Sequence, residues 1–167
     1  MTMILFLDYD GVLHGDQVYR TKNGIVLFGG GTLFEHTPIL VALLNPHPEV
    51  RIVLSTSWVR ELGFSRAKKR LPPELQVRVI GATYHTDFER EEYVGKPWRY
   101  LTRFEQIAQH VTRNDLTNWI AVDNDCFGWP PNLRHRLILT EDDLGLRERA
   151  AQQRLADALV SLNQGEL

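Results

Sequence analysis

Asp8 and Asp10 stand one residue apart, directly after the apolar run Ile4-Leu5-Phe6-Leu7 and directly before Gly11. Side chains alternate along an extended chain, so the two carboxylates can point the same way at the end of a buried strand. Carboxylates that close repel one another unless a cation sits between them or one keeps a proton. Such a strand end is costly to build for packing alone, although Asp10-Gly11 is also a common turn dipeptide. A second acidic group, Asp123-Asn124-Asp125, follows another apolar run, Trp119-Ile120-Ala121-Val122. Two strands that each end in clustered acid suit cation binding and proton transfer at the carboxyl edge of a sheet.

The elements that must position these residues alternate between strand and helix. Lys22-Asn23-Gly24, between Gln17–Tyr19 and Ile25–Phe28, predicts a small hairpin flap just beyond the first two aspartates. Thr37 and Pro38 predict a helix start, with Ile39, Leu40, Leu43 and Leu44 on its apolar face and Pro46 and Pro48 ending it. Val50–Leu54 reads as a second strand and residues 57–71 as a helix. Val77–Ile80 reads as a third strand, and residues 81–95 as a long connection. Pro97 opens a helix carrying Leu101, Phe104, Ile107, Ala108 and Val111. Strands at Trp119–Val122 and Leu137–Leu139 follow, and Leu155, Leu159 and Leu162 mark an amphipathic C-terminal helix. This order predicts an α/β sheet, parallel in the main, with helices on both faces. Ligands bind such sheets at the carboxyl ends of the strands, where the topology switches direction.

Composition narrows the class. The chain has 167 residues, 43% of them hydrophobic, and a net charge of -2, so no global basic field draws it to nucleic acid or anionic membranes. One cysteine, Cys126, excludes an intrachain disulfide framework. No apolar stretch approaches a membrane span, and the N-terminus lacks the basic and apolar regions of a signal peptide. The expectation is one domain over residues 1–167, cytoplasmic and free of the membrane.

Asp8-Tyr9-Asp10-Gly11-Val12-Leu13 resembles the first motif of the haloacid dehalogenase (HAD) superfamily, whose first aspartate is the nucleophile. Ser55 after Arg51-Ile52-Val53-Leu54 resembles the second motif, Lys96 the third-motif lysine, and Asp123-Asn124 the acidic fourth motif. The pairing of Asp10–His14 with Leu54-Ser55-Thr56-Ser57-Trp58 is similar to small capless HAD domains of multi-domain RNA-repair proteins. Val12 departs from the threonine of many relatives. Thr56 competes with Ser55, and Asp125 with Asn124.

The resemblance implies a Rossmann-like HAD fold of about five mostly parallel strands, with a flap and without a cap domain. It implies a Mg²⁺-dependent phosphatase acting on a phosphomonoester through an aspartyl-phosphate. Asp8 would attack phosphorus, and Asp10 would act as acid and base while its carbonyl faces the metal. Asp8, Asp10, Asp123 and Asn124 form the implied metal set. Ser55 would donate to a phosphoryl oxygen, with Gly11 and Thr56 beside the substrate. Lys96 would balance charge, oriented by Asp123. A site without a roof suits a large phosphorylated substrate, such as a nucleic-acid end or a phosphoprotein. Rival readings are a non-catalytic HAD-fold binding module and a dedicated polynucleotide 3′-phosphatase. The latter predicts Arg66, Lys68, Lys69 and Arg70 beside the site, where the bland reading is a solvated helix end. His14 reads as a packing or hydrogen-bonding histidine, and Trp58, Trp98, Trp119 and Trp129 as core or rim rather than base-stacking platforms.

Overall fold

The computed structural model describes residues 2–90 and 94–165. Its centre is β1 (Met3–Leu7), flanked by parallel partners: β4 (Val50–Leu54) on one side and β6 (Trp119–Asp123) on the other. β5 (Val79–Ala82) extends the sheet beyond β4, and β7 (Leu137–Leu139) extends it beyond β6. The order β5-β4-β1-β6-β7 reverses its direction of growth at β1, so the switch point lies between β1 and β6. The hairpin β2 (Val18–Thr21) and β3 (Gly24–Leu27) forms a separate antiparallel pair, with Arg20 bonded to Glu61 at 2.6 Å.

Alternation along the central strands divides the core in two. Met3, Leu5 and Leu7 of β1, with Val50, Ile52 and Leu54 of β4 and Ile120 and Val122 of β6, face one cluster. Four helices supply the other side of that cluster: α1 (Thr37–Leu44), α2 (Ser57–Leu62), α3 (Phe64–Lys68) and α4 (Pro73–Gln76). The long α6 (Arg149–Gln164) completes it through Leu155, Leu159 and Leu162. Ile4 and Phe6, with Val53, Trp119 and Ala121, face the opposite side, where α5 (Arg103–Arg113) packs Phe104, Ile107 and Val111 against them. Phe6 has no exposed surface and meets Trp119 edge-on, and truncation of such a side chain to Ala costs about 3–5 kcal/mol. The same parity places Asp8 and Asp123 on the α5 side of their strand ends. Among the described residues no helix is long and apolar enough to cross a membrane.

Several expected boundaries move. The helix expected over 57–71 is broken at Gly63, whose φ of 86° ends α2 and lets α3 start in a new direction. The third strand begins two residues late, at Val79, because Pro73 opens the short α4 ahead of it. Pro97 opens only a 3₁₀ turn, Trp98–Tyr100, and the helix itself starts at Arg103. Thr37 is the first residue of α1 rather than its cap, and its hydroxyl donates back to the Phe34 carbonyl. Residues 91–93 of the long connection lie outside the described residues.

Candidate active site

Register brings the acidic residues together. Leu7 pairs with Leu54 on one side and Val122 on the other, so Asp8, Ser55 and Asp123 follow at one level on three neighbouring strands. The Asp8 N–H donates to the Val122 carbonyl, and the Ser55 N–H donates to the Leu7 carbonyl. Beyond Asp8 the chain turns through Gly11, whose φ of 70° suits glycine. The Thr140 hydroxyl donates to the Gly11 carbonyl at 2.7 Å, and the Leu146 N–H to that of Val12 at 2.9 Å, which fixes the turn against the β7 side of the sheet.

Arg103 stands between Asp8 and Asp123. Its Nη2 donates to Asp8 Oδ2 at 3.3 Å, and its Nε faces Asp123 Oδ2 at 2.9 Å. The second approach is one of charge without hydrogen-bond alignment, and among the described residues neither Nε nor that Oδ2 has a hydrogen-bond partner. Burial works against the Arg103 charge, but Asp8 and Asp123 outweigh it and hold the guanidinium protonated. Burial raises the Asp8 carboxyl above its ordinary value; Arg103 opposes this rise and Asp10 adds to it. Asp123 is raised further, by burial first and then by the charge of Asp8.

Lys96, expected in that role, lies elsewhere. Its ammonium grips both oxygens of Glu105 at 2.9 and 3.0 Å on the surface. Glu105 belongs to a capping box: the Thr102 hydroxyl accepts from the Glu105 N–H, and Glu105 accepts from the Thr102 N–H. That cap starts α5 at Arg103, on the face that Asp8 and Asp123 share. The Thr102-Arg103-Phe104-Glu105 pattern carried the signal; reading the helix from Pro97 put the expected cation seven residues too early.

The remaining expected residues separate by what they touch. Ser55 is buried, and among the described residues its Oγ has no partner. Thr56 caps α2, accepting from the Trp58 N–H at 3.5 Å, and its hydroxyl also bonds Asp8. Asp123 accepts from the Asp125 N–H through Oδ1 and faces Arg103 through Oδ2, so both its oxygens are engaged within the chain. Asp125 is exposed and accepts from the Phe127 N–H. Asn124 packs on Gly11, where an added Cβ would stand 2.5 Å from its Cγ, and its Nδ2 donates to Asp142 Oδ1 at 2.9 Å. Asp10 takes the Trp58 indole N–H at 2.7 Å and His14 Nε2 at 3.0 Å on Oδ1.

Of the basic group at 66–70, Arg70 reaches this region, its guanidinium 5.6 Å from the Trp58 ring centroid, while Lys68 donates to the Val79 carbonyl. All four tryptophans are buried, Trp98 and Trp129 at the margin. A cleft of about 230 Å³ opens beside the site, lined by Thr56, Arg60, Arg99, Arg103 and Asp125 among others. Two larger hollows, of about 590 and 620 Å³, include neither Asp8, Asp10 nor Asp123.

A cation fits this donor set. Among the described residues no three of His, Cys, Asp and Glu converge on a metal position, so an ion here would rest on Asp8, the Asp10 carbonyl and the Asn124 amide oxygen. All are hard oxygens, few in number, as Mg²⁺ prefers when water and substrate fill the remaining positions. The Asp8–Asp10 repulsion is what such an ion relieves.

The family described as HAD domain in Swiss Army Knife RNA repair proteins matches residues 4–151. The chain matches none of the curated proteins. Among solved structures it is similar to 3-deoxy-D-manno-octulosonate 8-phosphate phosphatase from Yersinia pestis, with 11% identity and a TM-score of 0.47 over 99% of this chain and 84% of that one. It is also similar to the putative 3-deoxy-D-manno-octulosonate 8-phosphate phosphatase from Vibrio cholerae, with 14% identity and a TM-score of 0.40 over 99% of this chain and 87% of that one.

Proposed function

This chain belongs to the HAD domains of Swiss Army Knife RNA repair proteins, and from that premise we propose that it is a phosphatase of the HAD type that removes phosphate from a nucleic-acid end, with Mg²⁺, through an aspartyl-phosphate on Asp8. One observation carries the chemical part of the reading. Arg103 bridges Asp8 and Asp123 at the switch point while the neighbouring Ser55 hydroxyl is buried without a partner. A nucleophile, a cation and an uncommitted hydroxyl are the groups that attack, neutralise and orient a phosphoryl group.

Asp8 attacks phosphorus in line, and the guanidinium of Arg103 offsets the charge that accumulates between carboxylate and phosphoryl oxygens. Ser55 donates to one of those oxygens, and Thr56 stays on Asp8 and the α2 cap. Asp123 holds Arg103. Asp10 gives its proton to the departing ester oxygen and later takes one from the hydrolytic water. When bound by Asp8, the Asp10 carbonyl and Asn124, Mg²⁺ would screen the repulsion between nucleophile and phosphoryl dianion.

A nucleic-acid end is favoured over a phosphoprotein by the family and by the cleft beside the site. Arg99 lines it with Arg103, and Arg60 does so while paired with Glu89 at 2.8 Å, so guanidinium charge of the kind a second phosphate needs is adjacent to the reacting one. The test is a panel of 3′- and 5′-phosphorylated RNA and DNA, phosphopeptides and small phosphate esters, with Asp8→Asn as control. Turnover led by nucleic-acid ends, dependent on Mg²⁺ and falling with salt, is the expected result. Preference for phosphopeptides would replace the substrate. Absence of turnover on every ester would favour the binding-module reading.

A further inference from the structure

We propose that Trp58 and His14 are positioning residues that decide which oxygen of Asp10 carries the catalytic proton; this rests on the phosphatase reading and adds to it a device for poor leaving groups. Both side chains place a hydrogen on the same oxygen, Asp10 Oδ1, at 2.7 and 3.0 Å. The indole nitrogen can only donate. Histidine could do either, and here the backbone decides. The Phe34 N–H donates to His14 Nδ1 at 3.0 Å, so Nδ1 presents its lone pair and the ring proton sits on Nε2, facing Asp10.

That assignment is built in rather than incidental. Phe34 is one of only two non-glycine positions with positive φ among the described residues, at 64°. Such a conformation costs on the order of 1–3 kcal/mol and persists when its surroundings enforce it. Here both the N–H and the hydroxyl of Thr37 donate to the Phe34 carbonyl. The resulting strain aims an N–H at His14. His14 is completely buried, edge-on to the Phe34 ring at 4.9 Å and tilted against Trp58 at 5.9 Å, so the imidazole is held from both sides. Trp58 is held in turn by Phe34 and by Arg70 over its face.

With two N–H groups on Oδ1, a proton on Asp10 belongs on Oδ2. In the first half-reaction the Oδ2–H bond breaks and its proton passes to the ester oxygen. That oxygen leaves as an alcohol with the electron pair of the P–O bond, while Asp8 forms the new bond to phosphorus. In the second half-reaction Oδ2 takes a proton from water as the water oxygen bonds to phosphorus. The Asp8–phosphorus bond breaks and the carboxylate is restored. Loss of either donor lets Asp10 rotate and carry its proton on an oxygen facing away from the ester.

The experiment compares Trp58→Phe, His14→Leu and His14→Gln with wild type on two probes in Mg²⁺, 2-glycerol phosphate and 4-nitrophenyl phosphate. A nitrophenolate departs without help, whereas an alkoxide needs the proton. Trp58→Phe and His14→Leu should lower glycerol phosphate turnover by about 10²-fold while the first equivalent of nitrophenolate slows by less than about fivefold. His14→Gln retains an N–H donor and a carbonyl acceptor and should recover most of the loss. The ratio of the two rates is internal to each sample, so a smaller folded fraction does not disturb it. An unchanged ratio in Trp58→Phe and His14→Leu, or a His14→Gln ratio as poor as that of His14→Leu, overturns the proposal with the phosphatase reading intact. Wild type inert toward both probes and toward every phosphorylated RNA and DNA end sinks that reading and the proposal with it.

Discussion

Arg103 Nε stands 2.9 Å from Asp123 Oδ2 while the same guanidinium reaches Asp8, so one side chain from the first turn of α5 ties together the ends of β1 and β6. The flat, forked guanidinium fixes this geometry; an ammonium would supply the charge without the rigid fork. Its position follows from alternation, which puts both aspartates on the face that α5 covers.

Arg103→Ala should therefore lower turnover by about 10²–10³-fold, the usual effect of removing one donor to a developing oxyanion. Arg103→Lys should recover only part of the rate, because an ammonium keeps the charge but not the planar fork that spans Asp8 and Asp123. Lys96→Ala should stay within about twofold of wild type and lose under about 1 kcal/mol of stability, because its pair with Glu105 is solvated. Steady-state kinetics on one ester decides between the two cations: a large Lys96→Ala defect with active Arg103→Ala would return the role to Lys96.

Asp8→Asn removes the nucleophile's charge and keeps its shape. Turnover should fall by several orders of magnitude, since uncatalysed monoester hydrolysis is among the slowest of reactions. Stability should rise in the metal-free protein, because burial and Asp10 together disfavour the ionised Asp8 more than Arg103 favours it. For a domain of this size each kcal/mol gained shifts Tm by about 2–4 °C. Thermal unfolding in EDTA reads the sign; a lower Tm for Asp8→Asn would mean that Arg103 dominates.

The same two carboxylates set a pH dependence. Asp8 and Asp123 both titrate above their ordinary 3.8 in the folded chain, so the fold keeps those protons longer than the unfolded chain does. Their contribution to stability is full below the unfolded value and is lost as pH rises through the elevated folded values. The difference in urea midpoint between wild type and the double variant Asp8→Asn/Asp123→Asn should therefore widen, in the variant's favour, as pH climbs from about 4 toward neutrality. Mg²⁺ should narrow it. A difference that shrinks over that range would reverse the assigned sign.

The sheet, the flap and the carboxyl-edge placement of the acidic residues were legible because they rest on local signals. Apolar runs such as Ile4–Leu7, ended at once by turn residues, read as buried strands, and Asn23-Gly24 is a hairpin turn on its own chemistry. Arg103 and Trp58 were not read as site residues because their roles depend on pairing across 95 and 48 positions of chain. Which helix face meets Asp8 depends on where the helix starts, and a single misplaced start moved the expected cation. The sequence marks His14 only as a packing or hydrogen-bonding histidine, because its partner and tautomer depend on the Phe34 backbone, whose positive φ no local pattern announces.

Gly11 offers the sharpest separation of metal site from nucleophile. Its φ of 70° is one that a side chain resists, and a Cβ there would stand 2.5 Å from both Cγ and Nδ2 of Asn124. Gly11→Ala must therefore push Asn124 aside or unwind the turn, and either movement strains the Asn124–Asp142 bond. Asp8 and Ser55 precede the turn on firmly paired strands, so the nucleophile and its hydroxyl neighbour should stay in place. The loss should consequently fall first on the cation. Half-maximal activity should require about tenfold or more Mg²⁺, with much of the rate recovered at saturation and stability lower by roughly 1–3 kcal/mol from the strained backbone. Asn124→Ala should reproduce the Mg²⁺ shift without the loss of stability, since it removes the ligand and leaves the turn alone. Titration of activity against Mg²⁺, beside urea unfolding of the same two variants, measures both. An Asn124→Ala protein with the wild-type Mg²⁺ requirement would take Asn124 out of the metal set.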